Sequence, residues 1–341
     1  MMTTSVWGAM LFPVNLLRVV SGFKNRLATL ILPAAHCRFK IIGVLVLATL
    51  LSACSAVKIG YNQLPTVAYF YLDGYADFTD AQSLQVKSEL TRLHAWHRQT
   101  QLPAYADLLD KLQPLLQGTI TPAQVCSVWP DVRRQLLAVP SQAEPAIAAL
   151  AVSLQPAQLQ QMQRKFSRGN ADFRKDFIDA ALTAIRTRRY EQAVSRAEML
   201  YGSLSEQQLK RIGQLVDASG FNAPLVYAER LRRQQDVLQT LRAVTAAGST
   251  PGSTAASMAA LTPGLAASTT AAQGQLKALL ERTLASPEPA YRDYIDKNTQ
   301  ENCRAMAELH DSTTDVQRQK ALRVIQGYAV DFRTLARQSD G

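Results

Sequence analysis

Two histidines three residues apart, in His94-Ala-Trp-His97, are the one place in this sequence where imidazoles cluster. On a helix that spacing puts both rings on one face, where they can share a metal ion. A zinc site needs a third protein ligand. Neither an H-E-x-x-H pattern nor a carboxylate at i+4 supplies one. Trp96 and the following Gln101-Leu102-Pro103 read as a helix end packed on a core, so a structural role is expected and no metal is assigned. His310-Asp311, close to Glu308, reads as a hydrogen-bonded helix end. No G-x-S-x-G elbow, phosphate-binding loop or dinucleotide glycine pattern occurs. The expectation is a protein that is not an enzyme and holds no cofactor.

Thiol chemistry is the stronger signal. The apolar run Ile41–Leu51 is about half of the ~20 residues that span a bilayer. Arg38-Phe39-Lys40 precedes it and Ser52-Ala53-Cys54 follows, which is the pattern of a secretory signal peptide. The four residues Leu51-Ser52-Ala53-Cys54 look like a bacterial lipobox. In that reading the Cys54 thiol takes a diacylglycerol, with acyl chains such as palmitate, and the chain is cut between Ala53 and Cys54. Residues 1–37 lie upstream of an ordinary n-region, which suggests a start codon further downstream, and 1–53 is expected to carry no fold. Cys37 would be removed with it. Cys126 and Cys303 would then be left in an oxidising compartment, where a disulfide is expected; no C-x-x-C spacing points to redox catalysis or zinc.

The charge follows the same division. Residues 1–53 hold five basic and no acidic side chains, so the net charge of +10 falls to +5 without them. A nucleic-acid partner loses most of its support. The remaining basic excess sits in 160–245, with fifteen basic and nine acidic residues. This is either a solvated helix face or a contact for an anionic envelope component or an acidic protein. Arg188 and Arg189, adjacent and with few acidic neighbours in sequence, are the candidate contact residues.

The elements that carry these residues read as helices. Leu159, Met162, Phe166, Phe173 and Phe177, and likewise Leu322, Ile325, Ala329, Phe332 and Ala336, fall on single helical faces. No alternating strand pattern appears. The expected fold is all-α, a multi-helix bundle of roughly eight to ten helices with a flexible low-complexity insertion. Thr79…Gln82, Thr121…Gln124, Ser205…Gln208 and Thr314…Gln317 have the form of capping boxes, and Gln155…Gln158 is a degenerate copy. The flanking leucines of Leu154–Leu159 and Leu204–Leu209 suggest either duplication or convergent capping. Residues 54–78 are an anchor-proximal segment with Tyr61, Tyr69, Phe70, Tyr71, Tyr75 and Phe78, which either begins the core or rests near lipid headgroups. A helical domain follows over 79–244. The uncharged Ala/Ser/Thr/Gly/Pro stretch 245–272 reads as a linker or insertion, and 273–341 as a C-terminal helical pair packing on the main domain.

Ile59-Gly-Tyr-Asn62, Leu72-Asp-Gly-Tyr75, Trp96-His-Arg98 with Gln101-Leu-Pro-Ala-Tyr105, and Leu309-His-Asp-Ser-Thr-Thr314 resemble a domain-of-unknown-function family of Gram-negative bacterial lipoproteins. The resemblance covers 54–341 apart from 245–272. It implies an exported, lipid-anchored, periplasm-facing helical protein with no catalytic residues. Ser55, after the lipidated position, implies outer-membrane sorting. The expected function is binding or scaffolding. The capped helix starts also resemble those of small helical periplasmic stress chaperones, which suggests a client-binding alternative, although those proteins are short, soluble dimers. An envelope enzyme using His94 and His97 with a metal is the third reading.

Overall fold

Most changes of direction among the described residues are set by a cap or a proline. The computed structural model describes residues 57–248 and 258–338, and among these every regular element is a helix. A helical stretch starts at residue 57 and continues as α1 (Leu64–Ala76). It stops where Asp77 adopts the left-handed conformation (φ 51°), which a short polar side chain tolerates. The Asp73 carboxylate accepts the Phe78 N–H there at 3.0 Å. α2 runs over Asp80–Trp96, passes through a π turn at His97–Gln101, resumes as Leu102–Leu112 and tightens into a 3-10 turn at Gln113–Leu116. Pro103 accounts for the π turn. It has no N–H to donate and its ring crowds the carbonyl of Gln99, so the helix widens by one residue instead of breaking.

The remaining helices are α3 (Pro122–Ser127), α4 (Trp129–Val152), α5 (Pro156–Phe177), α6 (Leu182–Tyr201), α7 (Glu206–Ala218), α8 (Ala223–Gly248), α9 (Met258–Leu284), α10 (Pro289–Asp311) and α11 (Asp315–Arg337). α6 ends at Gly202, whose φ of 81° favours glycine.

The capping boxes do more than start helices. Gln82 and Gln158 face each other across the corners α1–α2 and α4–α5. The Gln158 amide donates to Gln82 Oε1 at 2.8 Å and to the Asp77 carbonyl at 3.1 Å. Gln82 Nε2 donates to Gln158 Oε1 at 3.3 Å and to the Ser153 carbonyl at 3.0 Å. The same joint is built a second time. Gln208 and Gln317 exchange amide hydrogen bonds of 2.8 and 3.0 Å across the corners α6–α7 and α10–α11. Gln208 also donates to Ser312 O at 2.9 Å and Gln317 to Ser203 O at 2.9 Å. In both joints each glutamine caps its own helix and donates to the carbonyl two residues before the other corner's N-cap. Gln82, Gln158 and Gln208 are buried and Gln317 is half-buried, and every hydrogen-bonding position of these amides is filled, which is the condition for placing such groups inside. The box at Thr121–Gln124 makes its own cap without a partner glutamine among the described residues.

The helices interleave. The second half of α2 packs along α11, α4 packs against α8 and α9, and α1 packs against α2 and α5. One apolar cluster joins α4, α5, α8 and α9 through Ala148, Leu159, Leu241, Val244 and Leu276. A second joins the 3-10 turn, α6 and α11 through Leu116, Tyr201 and Leu322. A third joins α6, α7 and α10 through Ala197, Ile212 and Leu309.

The low-complexity stretch departs from its sequence reading. Residues 245–248 complete α8 and 258–272 form the first half of α9, while 249–257 lie outside the described residues. Alanine is the best helix former. Small side chains also let α9 approach α4 and α8 closely enough to bury Ala272 at 2% exposure.

Candidate functional site

Ala53 and Cys54 lie outside the described residues. The first described residue, 57, is three positions beyond Cys54, so α1 is the element next to the expected anchor. Its two faces differ. On the inner face, Tyr69 donates to Ser83 Oγ at 3.0 Å, Tyr75 meets the ring of Phe166 edge-on at 5.8 Å, and Ala76 is buried. On the outer face, Val67, Phe70 and Tyr71 are 49, 65 and 57% exposed, and Ile59, on the helical stretch just before α1, is 63% exposed. The described part of this segment, 57–78, therefore begins the core on one side and presents bare apolar surface on the other. The exposed face was not legible from composition alone, because the aromatic residues alternate between the two sides.

The histidine pair lies where α2 enters its π turn. The hydroxyl of Tyr61 is 3.0 Å from His97 Nδ1 and that of Tyr105 is 3.3 Å from Nε2. His94 Nε2 is 3.1 Å from the Tyr61 carbonyl, with the Tyr61 ring 4.5 Å from its own. Burial, and secondarily His94, lower the His97 pKa to about 4, so its ring is neutral at pH 7. Beside it, buried Arg98 donates to the Leu335 carbonyl and to Asn62 Oδ1, each at 3.0 Å. These groups tie the start of the described chain and α2 to the end of α11. Among the described residues there is no group of three or more His, Cys, Asp or Glu side chains placed to hold a metal ion. His310 is fully buried between the Tyr201 hydroxyl (2.9 Å) and the Gly118 carbonyl (2.8 Å), and burial lowers its pKa. Its neighbour Asp311 accepts the Ile120 N–H at 2.9 Å, so both residues fasten the loop before α3.

Cys126 on α3 and Cys303 on α10 are paired, their Cα atoms 5.5 Å apart across 177 positions of sequence. The bond attaches the short helix α3 to the C-terminal helical pair.

The basic block is largely occupied by the fold. Arg188, on α6, pairs with Asp176 at 3.1 Å and lies over the Phe177 ring. Arg189 donates to the Val216 carbonyl and to Ser219 Oγ, lies over the Phe221 ring, and has its pKa lowered by burial. The sequence reading gave this pair few acidic neighbours; the turn from α5 to α6 folds Asp176 back against it. Arg232 and Arg233 clamp the buried carboxylate of Glu229 at 2.7 and 2.6 Å, which also accepts from Ser286 Oγ at 3.0 Å. The loop before α10 is thereby drawn onto α8. Arg168 and Lys175, by contrast, stand exposed on α5 with no ion-pair partner among the described residues.

A surface depression of about 360 Å³ between α6 and α7 is lined by Arg186, Tyr190, Lys210 and Asp217. Its main charges neutralise each other in the Arg186–Asp217 pair at 2.6 Å. No helix among the described residues is long and apolar enough to cross a membrane. The model of a family of unknown function, DUF6279, matches residues 74–249. No curated protein matches the chain, and no solved structure does.

Proposed function

Because the chain belongs to the DUF6279 family, whose function is unknown, we propose a role from its own residues: a lipid-anchored, periplasm-facing helical lipoprotein of a Gram-negative envelope that acts by binding or scaffolding. The observation that carries this reading is the junction of a lipobox, Leu51-Ser52-Ala53-Cys54, to a body whose cysteines 126 and 303 are paired. A disulfide of this kind suits an exported protein, and a thiol at the cut site suits acylation. Ser55 favours sorting to the outer membrane. Binding is favoured over chemistry because His94, His97 and His310 each hold part of the fold together. The glutamine motifs that suggest a client-binding chaperone are likewise committed to helix corners.

An anionic envelope component or an acidic protein remains the proposed partner of the basic block. The contact falls to exposed α5, through Arg164, Arg168 and Lys175, in place of Arg188 and Arg189. Replacing Cys54 by Ala tests the anchor. The variant should lose incorporation of a fatty-acid analogue and accumulate uncut or leave the membrane fraction. Full labelling of Cys54→Ala chain would overturn the reading.

A further inference from the structure

We propose that the outer face of α1 is the surface on which the protein rests against its membrane, lying in the headgroup layer of a phospholipid bilayer. The inference rests on the reading of Cys54 as the anchor and adds an orientation to it.

This face lacks charge. From residue 59 to residue 72 the chain carries no Asp, Glu, Lys or Arg. A helix that faces water on one side ordinarily places charges there, as α5 does with Arg168 and Lys175. α1 instead turns Val67, Phe70 and Tyr71 outward, with Ile59 exposed on the helical stretch before it, mixed with exposed Gln63 and Thr66. Aromatic and aliphatic side chains among uncharged polar ones suit the boundary between headgroups and acyl chains, where a ring has apolar neighbours and a hydroxyl stays wet.

Position along the chain identifies the occupant. Residue 57 is three positions beyond Cys54, a reach of about 10 Å even when fully extended. An acylated Cys54 would therefore hold the start of this helix at the lipid surface, and a helix lying along that surface brings its outer face into the headgroups. The stripe is one helix wide, narrow for a stable interface with a second copy, which takes about 800 Å² per partner.

The test uses the full chain in its own cells, with Phe70 replaced by a photo-crosslinking phenylalanine analogue and fatty-acid labelling of Cys54 read on the same sample. Val316, exposed on α11, carries the analogue in the control. Phospholipid adducts several-fold above the control are expected. Adducts to a second copy, to another protein or to residues 1–56 of the same chain would overturn the proposal, as would adducts no more frequent than at Val316. A second arm reads accessibility. Phe70→Cys should react with a membrane-impermeant maleimide several-fold more slowly in membranes than in detergent, with Val316→Cys unchanged; equal rates at Phe70→Cys would also overturn it. An unlabelled Cys54 together with lipid adducts at Phe70 would remove the anchor and leave the surface contact standing. A labelled Cys54 with protein adducts would do the reverse.

Discussion

At the scale of single residues, buried imidazoles make stability depend on pH in the mildly acidic range. His97 is neutral in the folded state with a pKa of about 4, against about 6.5 for an unfolded histidine. Below pH 6.5 the unfolded chain takes up a proton that the folded chain refuses. The associated stability is present above pH 6.5 and is lost as the pH falls towards 4, by up to ~3 kcal/mol. Buried His310 shifts in the same direction and acts in the same sense. Melting temperature should therefore fall between pH 6.5 and 5, before most carboxylates titrate, and a His97→Phe variant should lose part of that slope. An unchanged slope would show that His97 is not held neutral. The structural use of His94 and His97 was legible from the missing third ligand. The internal use of Arg188 and Arg189 was not, because Asp176 and Phe177 reach them only through the fold of the α5–α6 turn.

At the scale of elements, the five helix starts were legible because a capping box is a local pattern. The pairing of Gln82 with Gln158 and of Gln208 with Gln317 was not, since it joins corners 76 and 109 positions apart. α9 was hidden for a related reason: an uncharged Ala/Ser/Thr stretch reads as a linker until neighbouring helices cover one of its faces. The joints make a graded prediction. Gln208→Ala removes a cap and strands the Ser312 carbonyl, and should cost about 2–3 kcal/mol. Gln124→Ala, at the exposed box with no partner glutamine, should cost about 1 kcal/mol or less. A double-mutant cycle between Gln208 and Gln317 in urea unfolding should return a coupling of about 1 kcal/mol. Equal costs at Gln208 and Gln124 with no coupling would reduce both boxes to simple caps.

At the scale of the whole molecule, the all-α class was legible from periodicity, whereas the interleaving of the first and last helices was not, because it depends on contacts such as Arg98 with Leu335. The disulfide closes a loop of 177 positions, worth up to ~5 kcal/mol by chain entropy. Reduction should lower the urea midpoint markedly, and the denatured, unreduced protein should show no free thiol from Cys126 or Cys303; two free thiols would show the bond to be absent. The central claim, that this bundle is carried on a lipid at its N-terminal side, is tested most directly by the intact mass of the protein purified from membranes. The account predicts a chain that begins at Cys54 and carries the added mass of a diacylglycerol. A chain that retains residues before Cys54, or that begins there or later without any acyl mass, would contradict it.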